Sequence, residues 1–285
     1  NDRYTKLDPY AGAEQAVVAA YRAVAIAGAE PRAVTDGLNF GSPEDPDSMW
    51  QFAEAVRGIA DACLELGVPV TGGNVSLYNG TGEPGRIDSS INPTPIVGIL
   101  GVFDDVRRAT PSGWREVGQA LYLVGATRAE LDGSAFAGLH GHLGGLPPAV
   151  DFAAEKVLAE VMVSASRDGL ADAAREVTEG GLAAAVAAGA LRYGVGARIV
   201  LDEIVTRDSV SPAQAWLSES QGRILVAIPR TEEPRWVAML EARRVPFARI
   251  GVTQDEPVIE VQGQFTLPLA ELREAWDGPL PAHFA

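Results

Sequence analysis

Two short polar stretches carry side chains suited to metal and phosphate chemistry. They read TDGLNFG (35–41) and TGGNVSLYN (71–79), and each follows a short apolar segment typical of a strand. Asp36 and Asn74 offer hard oxygen ligands of the kind that Mg²⁺ takes alongside phosphate oxygens, and Ser76 adds a hydroxyl. The glycines let the backbone approach a ligand closely and point successive N–H groups at an anion. These stretches predict a metal–phosphate site, with the alternative that Asp36 and Asn74 only cap turns.

Other polar segments favour ordinary structural roles. The Glu-Ser-Gln segment at 219–221 precedes an apolar strand-like run, as a polar turn would. Glu176 and Glu179 lie beside a glycine pair, where acidic residues suit the first turn of a helix. The chain contains no Gly-Lys-Ser/Thr triplet, so the sequence holds no P-loop. The segment GTGEPG (80–85) matches G-x-G-x-x-G, but Pro84 interrupts it and no helical pattern follows, which indicates a loop.

The composition sets the scale of the fold and excludes some partners. The chain has 285 residues, 47% of them hydrophobic, which is comfortable for two domains with a sizeable core. Its formal net charge of −15 predicts no nucleic-acid partner and no anionic membrane surface. The single cysteine, Cys63, excludes an internal disulfide and fits a reducing compartment. No apolar run is as long as a membrane span, no signal-peptide pattern opens the chain, and it begins with Asn1, so we expect a piece of a longer cytoplasmic protein.

Hydrophobic periodicity places both polar stretches after strands in an N-terminal unit. The pattern predicts a helix over 9–31, a strand over 32–36, a helix from Pro46 to Gly67, two short strands around a Gly72-Gly73 turn, and a strand over 94–106 broken at Gly98 and Gly101. One face of the second helix carries Phe52, Val56, Ile59 and Cys63. We expect Cys63 to be a small core residue. This order of elements indicates an α/β or α+β unit.

A domain boundary is expected near 109–117, where the segment ATPSGWREV interrupts the regular pattern. Beyond it the sequence predicts a strand over 119–126, a glycine-rich loop over 138–148, a helix over 151–168, a Gly180-Gly181 turn before a helix of small residues, and further strands and helices up to the tail helix LPLAELREAW. His140 and His142 have no third ligand nearby in sequence, which favours a surface loop over a metal site. The second segment therefore also indicates a mixed α/β domain.

The order of six motifs resembles that of one enzyme family. The motifs are DPYAGAEQAV, VTDGLNFGSPEDP, VTGGNVSLYN, INPTPIVGILG, TEGGLA and SESQGR, and they span nearly the whole chain. The chain resembles phosphoribosylformylglycinamidine synthase (FGAM synthase), and more narrowly the second half of the small bacterial synthetase subunit. The resemblance implies an aminoimidazole ribonucleotide synthetase-like two-domain unit. Its N-terminal α/β domain, with a mixed sheet, would be residues 1–112, and its C-terminal α+β domain would be residues 113–285.

The resemblance also implies an activity in de novo purine biosynthesis. Enzymes of this family use ATP and Mg²⁺ to activate the formamide oxygen of formylglycinamide ribonucleotide as an iminophosphate. Ammonia from a glutaminase partner then displaces phosphate and gives the amidine. The implied partners are therefore the first half of the same enzyme, the glutaminase subunit and a small accessory subunit.

By motif, the resemblance assigns roles to four residues. It implies nucleotide contacts at Asp36 and Gly73. It implies a Mg²⁺ ligand at Asn74 and a substrate contact at Ser76. The family's catalytic histidine belongs to the first half of the full enzyme and has no counterpart here. We therefore expect no catalytic residue in this chain and no activity from the chain alone.

Two segments differ from the family's pattern or duplicate it. The second half of the family usually reads like HDVSDGGL, whereas this chain reads REVTEGGL, with Arg175, Glu176 and Glu179 at the changed positions. Glutamate reaches further than aspartate, so the family's metal geometry does not carry over to Glu176. The segment 219–221 looks like the internal duplicate of a substrate-contacting Glu-Ser-Gln in the first half. Its role stays open between a substrate contact and a structural one.

Two alternatives remain open from the sequence. The first is another ATP-using enzyme of the same superfamily, such as a selenophosphate synthetase or a thiamine-monophosphate kinase, although TDGLNFGSPEDP argues against it. The second is a non-catalytic half that binds nucleotide structurally and serves as an assembly surface. Separated from its mate, the N-terminal sheet would expose an apolar surface. We therefore expect the isolated chain to form a homodimer, mainly through residues 30–108.

Overall fold

The computed structural model describes residues 1–83 and 86–284. The N-terminal elements are α1 (Asp2–Leu7), α2 (Pro9–Ile26), β1 (Glu30–Asn39), α3 (Pro46–Leu66), β2 (Val70–Ser76), β3 (Gly80–Glu83), β4 (Arg86–Ser90), β5 (Thr94–Val102) and a 3₁₀ turn (Val106–Arg108). Strands β3 and β4 pair antiparallel, so the GTGEPG segment begins in a hairpin strand. Its Pro84 and Gly85 lie outside the described residues.

The C-terminal part contains the remaining helices and strands. They are β6 (Ala120–Val124), α4 (Ala135–Leu139), α5 (Phe152–Arg167), β7 (Ala173–Glu176), α6 (Gly181–Tyr193), β8 (Gly196–Ile199), α7 (Asp202–Asp208), α8 (Pro212–Leu217), β9 (Ile224–Ile228), α9 (Glu233–Ala242), β10 (Phe247–Gln254), β11 (Val258–Val261), β12 (Phe265–Pro268), α10 (Leu269–Asp277) and α11 (Pro279–Phe284). The expected boundary at 109–117 falls between the 3₁₀ turn and β6, and the division at residue 112 stays a prediction. Among the described residues, no helix is long and apolar enough to cross a membrane.

Helices α2 and α3 pack closely against each other and form the base of the N-terminal domain. Each begins with an aspartate N-cap and a proline in its first turn. Helix α3 ends at Gly67 with a φ of 70°, and Cys63 is buried, as predicted. The predicted buried face is wrong at Val56, which is 39% exposed. Small residues form the contact instead, because a side chain at Gly58 would collide with the backbone carbonyl of Tyr10 in α2.

A three-stranded mixed sheet, in the order β2-β1-β5, carries the candidate residues. Strand β1 pairs in parallel with β2 and antiparallel with β5. The predicted turn at Gly72 and Gly73 is wrong, because β2 runs without interruption through both. Strand β5 is likewise continuous through Gly98 and Gly101, where breaks are predicted. These glycines do not adopt a positive φ; at Gly101 the reason for glycine is space, since a Cβ there would collide with Val24 of α2.

The C-terminal domain is built on a seven-stranded mixed sheet in the order β12-β11-β8-β10-β6-β9-β7. Strands β6 and β9 lie inside it and are buried along their whole length. Apolar side chains cover both faces, one core packing with α6 and the other with α5 and α9. The predicted combination of an N-terminal α/β domain with a mixed sheet and a C-terminal α+β domain is therefore confirmed.

A buried ion pair joins the two parts of the molecule. Arg22 of α2 contacts Glu155 in the first turn of α5, and each side chain is 1% exposed. Arg22 also donates a hydrogen bond of 2.9 Å to Oε1 of Gln221. Burial raises the pKa of Glu155, and Arg22 counteracts that rise. Buried charges are tolerated only when paired, so this contact holds α2 against the second domain.

Candidate functional site

Asp36 and Gly73 lie side by side on adjacent parallel strands. They are direct partners in the register of β1 and β2. A Cβ at position 73 would collide with Oδ1 of Asp36, so only glycine leaves the carboxylate its place. Asp36 shares a face of β1 with Val34 and Leu38, which pack into the core with α2 and α3. The structure therefore brings together the two residues to which the resemblance assigns nucleotide contacts.

The carboxylate of Asp36 is half-buried and has no hydrogen-bond donor among the side chains and amides that the structure describes. Burial raises its pKa above the ordinary value. The thiol of Cys63 lies close enough for Asp36 to raise its pKa, although burial of the thiol is the larger cause. Asp36 is thus a charged acceptor that the fold leaves available to a hydroxyl, an amine or a cation.

Asn74 and Ser76 lie on the other face of the sheet. Asn74 is exposed and pairs with Gly37, and Ser76 is half-buried and pairs with Asn39. The hydroxyl of Ser76 lies 3.1 Å from Oδ1 and 3.0 Å from Nδ2 of Asn79. Asn79 is a site residue that the sequence motifs do not single out, although it ends the stretch TGGNVSLYN. Asn79 therefore fixes the orientation of the hydroxyl that the resemblance assigns to substrate.

The four predicted site residues thus form two pairs on opposite faces of one sheet. Successive side chains of a strand point to opposite faces, so Gly73 and Asn74 cannot face the same way. Strand β2 is an edge strand, and Gly72 and Gly73 place no side chain on either face. A ligand can therefore reach Asp36 on one face and Asn74 on the other only around this edge. The single converging cluster expected from the sequence is not present.

The face of the sheet that carries Asn74 and Ser76 is otherwise apolar and exposed. On β5, Ile96, Leu100 and Val102 are 60%, 65% and 52% exposed. These three residues alternate along the strand and lie on the side away from α2 and α3. We call this surface the outer sheet face. Its exposure matches the apolar surface that the sequence analysis expects.

Glu219 lies in the interior, and its partners are all within the protein. Its side chain is fully buried, and Oε1 accepts hydrogen bonds from the amides of Ala135 (2.8 Å) and Gly180 (2.7 Å). Oε2 accepts from the hydroxyl of Tyr4 in α1. Burial, followed by the charge of Glu219, raises the pKa of Tyr4 well above its ordinary value. Glu219 therefore ties α1, α4 and the turn before α6 together and has no free oxygen for a substrate.

Glu176 and Glu179 line a cleft of about 450 Å³ between α2, the start of β5 and the turn before α6. A row of alanines on α2 forms one wall. Glu179 pairs with Arg3 at 2.5 Å, so the longer glutamate side chain is engaged in holding α1. Gly180, with a φ of 80°, serves as the N-cap of α6 without a side-chain bond. The two acids thus belong to the wall of an open cleft.

The described residues do not form a complete magnesium site. Over 1–83 and 86–284, no group of three or more His, Cys, Asp and Glu side chains could hold a metal ion. Asn74 supplies one neutral amide oxygen, and the nearest predicted acid, Asp36, lies on the opposite face. Mg²⁺ in proteins is usually held by one or two carboxylates together with phosphate oxygens and water. The donors present here therefore fit a contributory role toward a metal, not a site of their own.

Two family models match the chain. "AIR synthase related protein, N-terminal domain" matches residues 1–103, and "AIR synthase related protein, C-terminal domain" matches residues 116–264. The synthetase-like fold that the resemblance implies is thereby confirmed.

Curated relatives match along the entire chain. The chain is 60% identical over 285 residues to phosphoribosylformylglycinamidine synthase subunit PurL of Renibacterium salmoninarum, covering 100% of this chain and 36% of that protein. It is 56% identical to the subunit of the same name from Streptomyces avermitilis, covering 100% of this chain and 37% of that one. These matches confirm the resemblance seen in the six motifs. The chain spans little more than a third of the length of these relatives.

Solved structures share the fold. PurL of Thermotoga maritima complexed with FGAR has a TM-score of 0.77 at 23% identity, covering 95% of this chain and 44% of that chain. The same protein complexed with ATP gives a TM-score of 0.70 at 23% identity, with coverages of 93% and 41%. The PurLQS assembly of T. maritima gives a TM-score of 0.72 at 22% identity, with coverages of 94% and 42%. The two matched models together cover most of the chain, so the chain belongs to the AIR synthase related protein family.

Proposed function

We propose that this chain acts as the second synthetase half of phosphoribosylformylglycinamidine synthase. The reaction is the ATP-dependent conversion of formylglycinamide ribonucleotide to the amidine with glutamine-derived ammonia. Relatives of that name are 56–60% identical across the whole chain. The structural observation that carries the proposal is the contact between Asp36 and Gly73. A glycine keeps room beside a carboxylate that has no described partner, which suits a residue reserved for a ligand.

The proposed chemistry divides between binding and activation. An amide oxygen is a poor leaving group, so phosphorylation by ATP is needed before ammonia can replace it. In this chain Asp36 and the backbone at Gly73 hold the nucleotide. Ser76, oriented by Asn79, donates a hydrogen bond to the ribonucleotide or accepts one from it. We assign no catalytic residue to this chain, because the family's catalytic histidine belongs to the first half and all three histidines here lie beyond residue 112.

Magnesium enters the proposal only as a partner of the nucleotide. Bound Mg²⁺ would neutralise phosphate charge during phosphoryl transfer. Asn74 would offer it one amide oxygen. The remaining ligands would have to come from the phosphates and from chain outside this half, because the described residues do not complete a site.

The proposal includes partners and a location. A chain that spans little more than a third of its relatives would meet a first half, and the outer sheet face is the surface that suits such a mate. The PurLQS assembly of T. maritima supports further subunits, here a glutaminase and a small accessory protein. The single cysteine supports the cytoplasm as the location.

The alternatives from the sequence are less well supported. A selenophosphate synthetase or a thiamine-monophosphate kinase would share the fold, but the curated relatives at 56–60% identity carry the FGAM synthase name. A non-catalytic assembly half predicts that nucleotide binding here is dispensable for turnover. Kinetics of the complete enzyme distinguishes this possibility.

The test uses a complete synthetase subunit that contains this chain as its second half. Amidine formation is measured with ammonia, ATP and formylglycinamide ribonucleotide. We expect Asp36→Asn to raise the KM for ATP by about tenfold or more, as the loss of one charged contact implies. Asn74→Ala should lower the rate, with partial recovery at high Mg²⁺. The chain alone should form no amidine.

Three results would overturn the proposal. They are an unchanged KM for ATP in Asp36→Asn, a wild-type rate for Asn74→Ala at every Mg²⁺ concentration, or turnover by the chain alone. Asp255→Asn, an exposed carboxylate in the turn between β10 and β11, is the matched control and should leave all parameters unchanged.

A further inference from the structure

A second cavity lies in the C-terminal domain, away from the candidate site. It has a volume of about 350 Å³ and sits beside the start of α5, the end of β6 and the connection from α9 to β10. None of Asp36, Gly73, Asn74 and Ser76 lines this cavity. Ligand pockets are commonly about 300–1,000 Å³, so the space suits a small molecule.

Three arginines line this cavity without a described partner. Arg128, Arg243 and Arg244 all border it. None of the three guanidinium groups has an ion pair or hydrogen bond with a residue whose side chain the structure describes. Acids are plentiful in this chain, with 38 Asp and Glu against 23 Lys and Arg. A positive cluster left unpaired in so acidic a protein therefore points to an anion from outside.

The acidic residue in the cavity wall does not cancel this charge. Asp151 is the N-cap of α5, and its Oδ1 accepts the amide of Ala154 at 3.0 Å. One carboxylate against three guanidinium groups leaves the cluster with a net positive charge. The positive end of the α5 dipole adds to it in the same direction.

Arg244 also has an unusual backbone conformation. It follows α9 with a φ of 55°, in the left-handed region that favours glycine. Glycine at this position would relieve the backbone. A strained arginine whose side chain lines the cavity fits a function for the guanidinium.

Apart from Gln221, the remaining wall consists of small and apolar residues, which favour an apolar group on the ligand. Val157 and Leu158 of α5 line the cavity together with Val245 and Pro246. Guanidinium groups match phosphate oxygens with paired N–H donors. We propose that this cavity binds a small phosphate monoester, with the phosphate held by the three arginines and an apolar organic group against the valine–leucine–proline wall.

The test is titration calorimetry of the 285-residue chain with phenyl phosphate. We expect saturable binding of phenyl phosphate, weaker binding of inorganic phosphate and no binding of phenol. Arg128→Gln and Arg243→Gln should each lower the affinity for phenyl phosphate by about tenfold or more. Arg244→Gly should weaken it similarly while its melting temperature stays unchanged or rises, so misfolding cannot explain the loss.

Arg192→Gln is the control, because Arg192 is also exposed but lies outside the cavity, over the ring of Tyr193. It should bind phenyl phosphate like wild type. The proposal is overturned if phenyl phosphate does not bind at millimolar concentration, if Arg244→Gly binds it like wild type, or if Arg192→Gln loses as much affinity as the cavity variants. The readout is binding, so the outcome is independent of whether the chain serves amidine synthesis.

Discussion

Asp36 is partly desolvated without a described hydrogen-bond donor, an arrangement that costs stability. Burial raises its folded-state pKa above the ordinary 3.8, so the chain loses stability as the pH rises through that raised pKa. We expect Asp36→Asn to melt at a higher temperature than wild type at neutral pH, because an amide carries no charge to desolvate. The difference should vanish below pH 3.8, where Asp36 is protonated in both folded and unfolded chains. Thermal unfolding followed by circular dichroism across this pH range measures it.

The same substitution should weaken ATP binding in the complete enzyme. Stability and function are therefore expected to change in opposite directions at this one residue. Asp255→Asn should leave the pH profile of stability unchanged. If Asp36→Asn melts below wild type at neutral pH, the carboxylate has a structural partner and is not reserved for a ligand.

Glu219 shows the opposite arrangement, a carboxylate fully satisfied inside the protein. Tyr4→Phe removes one of its donors and leaves Oε2 buried without a partner. We expect the free energy of unfolding to fall by about 1–3 kcal/mol, the cost of an unsatisfied buried acceptor. Urea denaturation measures this change. Tyr78→Phe is the control, because Tyr78 is 55% exposed and its bond to Glu44 is 3.3 Å long; an equal loss in both variants would contradict the argument.

At the scale of residues, the sequence identifies which side chains suit metal and phosphate binding but not which face of the sheet each one occupies. The motifs point to Asp36, Gly73, Asn74 and Ser76 as a group. Which of them face each other depends on a register shift between Val34 and Thr35, where β1 and β2 change partners. Such an irregularity is set by packing between strands distant in sequence, and no local pattern encodes it.

At the scale of elements, the ion pair between Arg22 and Glu155 connects α2 to α5. Glu155→Gln would leave Arg22 as a buried charge without its counter-charge. We expect a loss of about 3–5 kcal/mol in the free energy of unfolding. The double variant Arg22→Met with Glu155→Leu should recover most of it, because apolar replacements of similar size avoid the desolvation cost.

Urea denaturation of both variants and of Lys156→Gln tests this expectation. Lys156 is next to Glu155 in sequence but lies at the surface, where its Nζ donates a 2.9 Å hydrogen bond to the carbonyl of Glu65. Its pairing with the Glu65 carboxylate at 3.8 Å is exposed and contributes little. A double variant that is less stable than Glu155→Gln would show that the pair contributes more than charge compensation.

The strands and helices were predictable from sequence to different degrees. Helix α3 has strong end signals, a proline-aspartate start and Gly67, and its bounds agree with the pattern. The turn predicted within β2 is wrong because a Gly-Gly pair is a strong turn signal only when it is considered locally. Its actual reason is close approach, since Gly73 must clear the carboxylate of Asp36 on the next strand. A rule that considers only neighbouring residues cannot predict a requirement imposed by a residue 37 positions away (73 − 36).

At the scale of the whole molecule, the outer sheet face predicts self-association. Ile96, Leu100 and Val102 form an exposed apolar row on an otherwise acidic protein. A two-fold interface would use this patch twice and bury it without a new complementary surface. We expect the isolated chain to be a dimer in light scattering at tens of micromolar, and Leu100→Lys to be a monomer.

Leu139→Lys is the control for this surface. Leu139 is 86% exposed but belongs to the second domain, so the variant should remain a dimer. A monomeric wild-type chain would refute the prediction. Dissociation by Leu139→Lys and not by Leu100→Lys would move the interface to the second domain.

Arg22 and Glu155 are 133 positions apart in the chain, so recombination between two diverged gene copies would often separate them. A hybrid that inherits the arginine without the glutamate would carry an isolated charge in its interior and fold poorly. Crossovers that exchange both residues together, or lineages that have lost both, escape this barrier. The two domains have separate sheets, yet this pair means that they must be inherited as one unit.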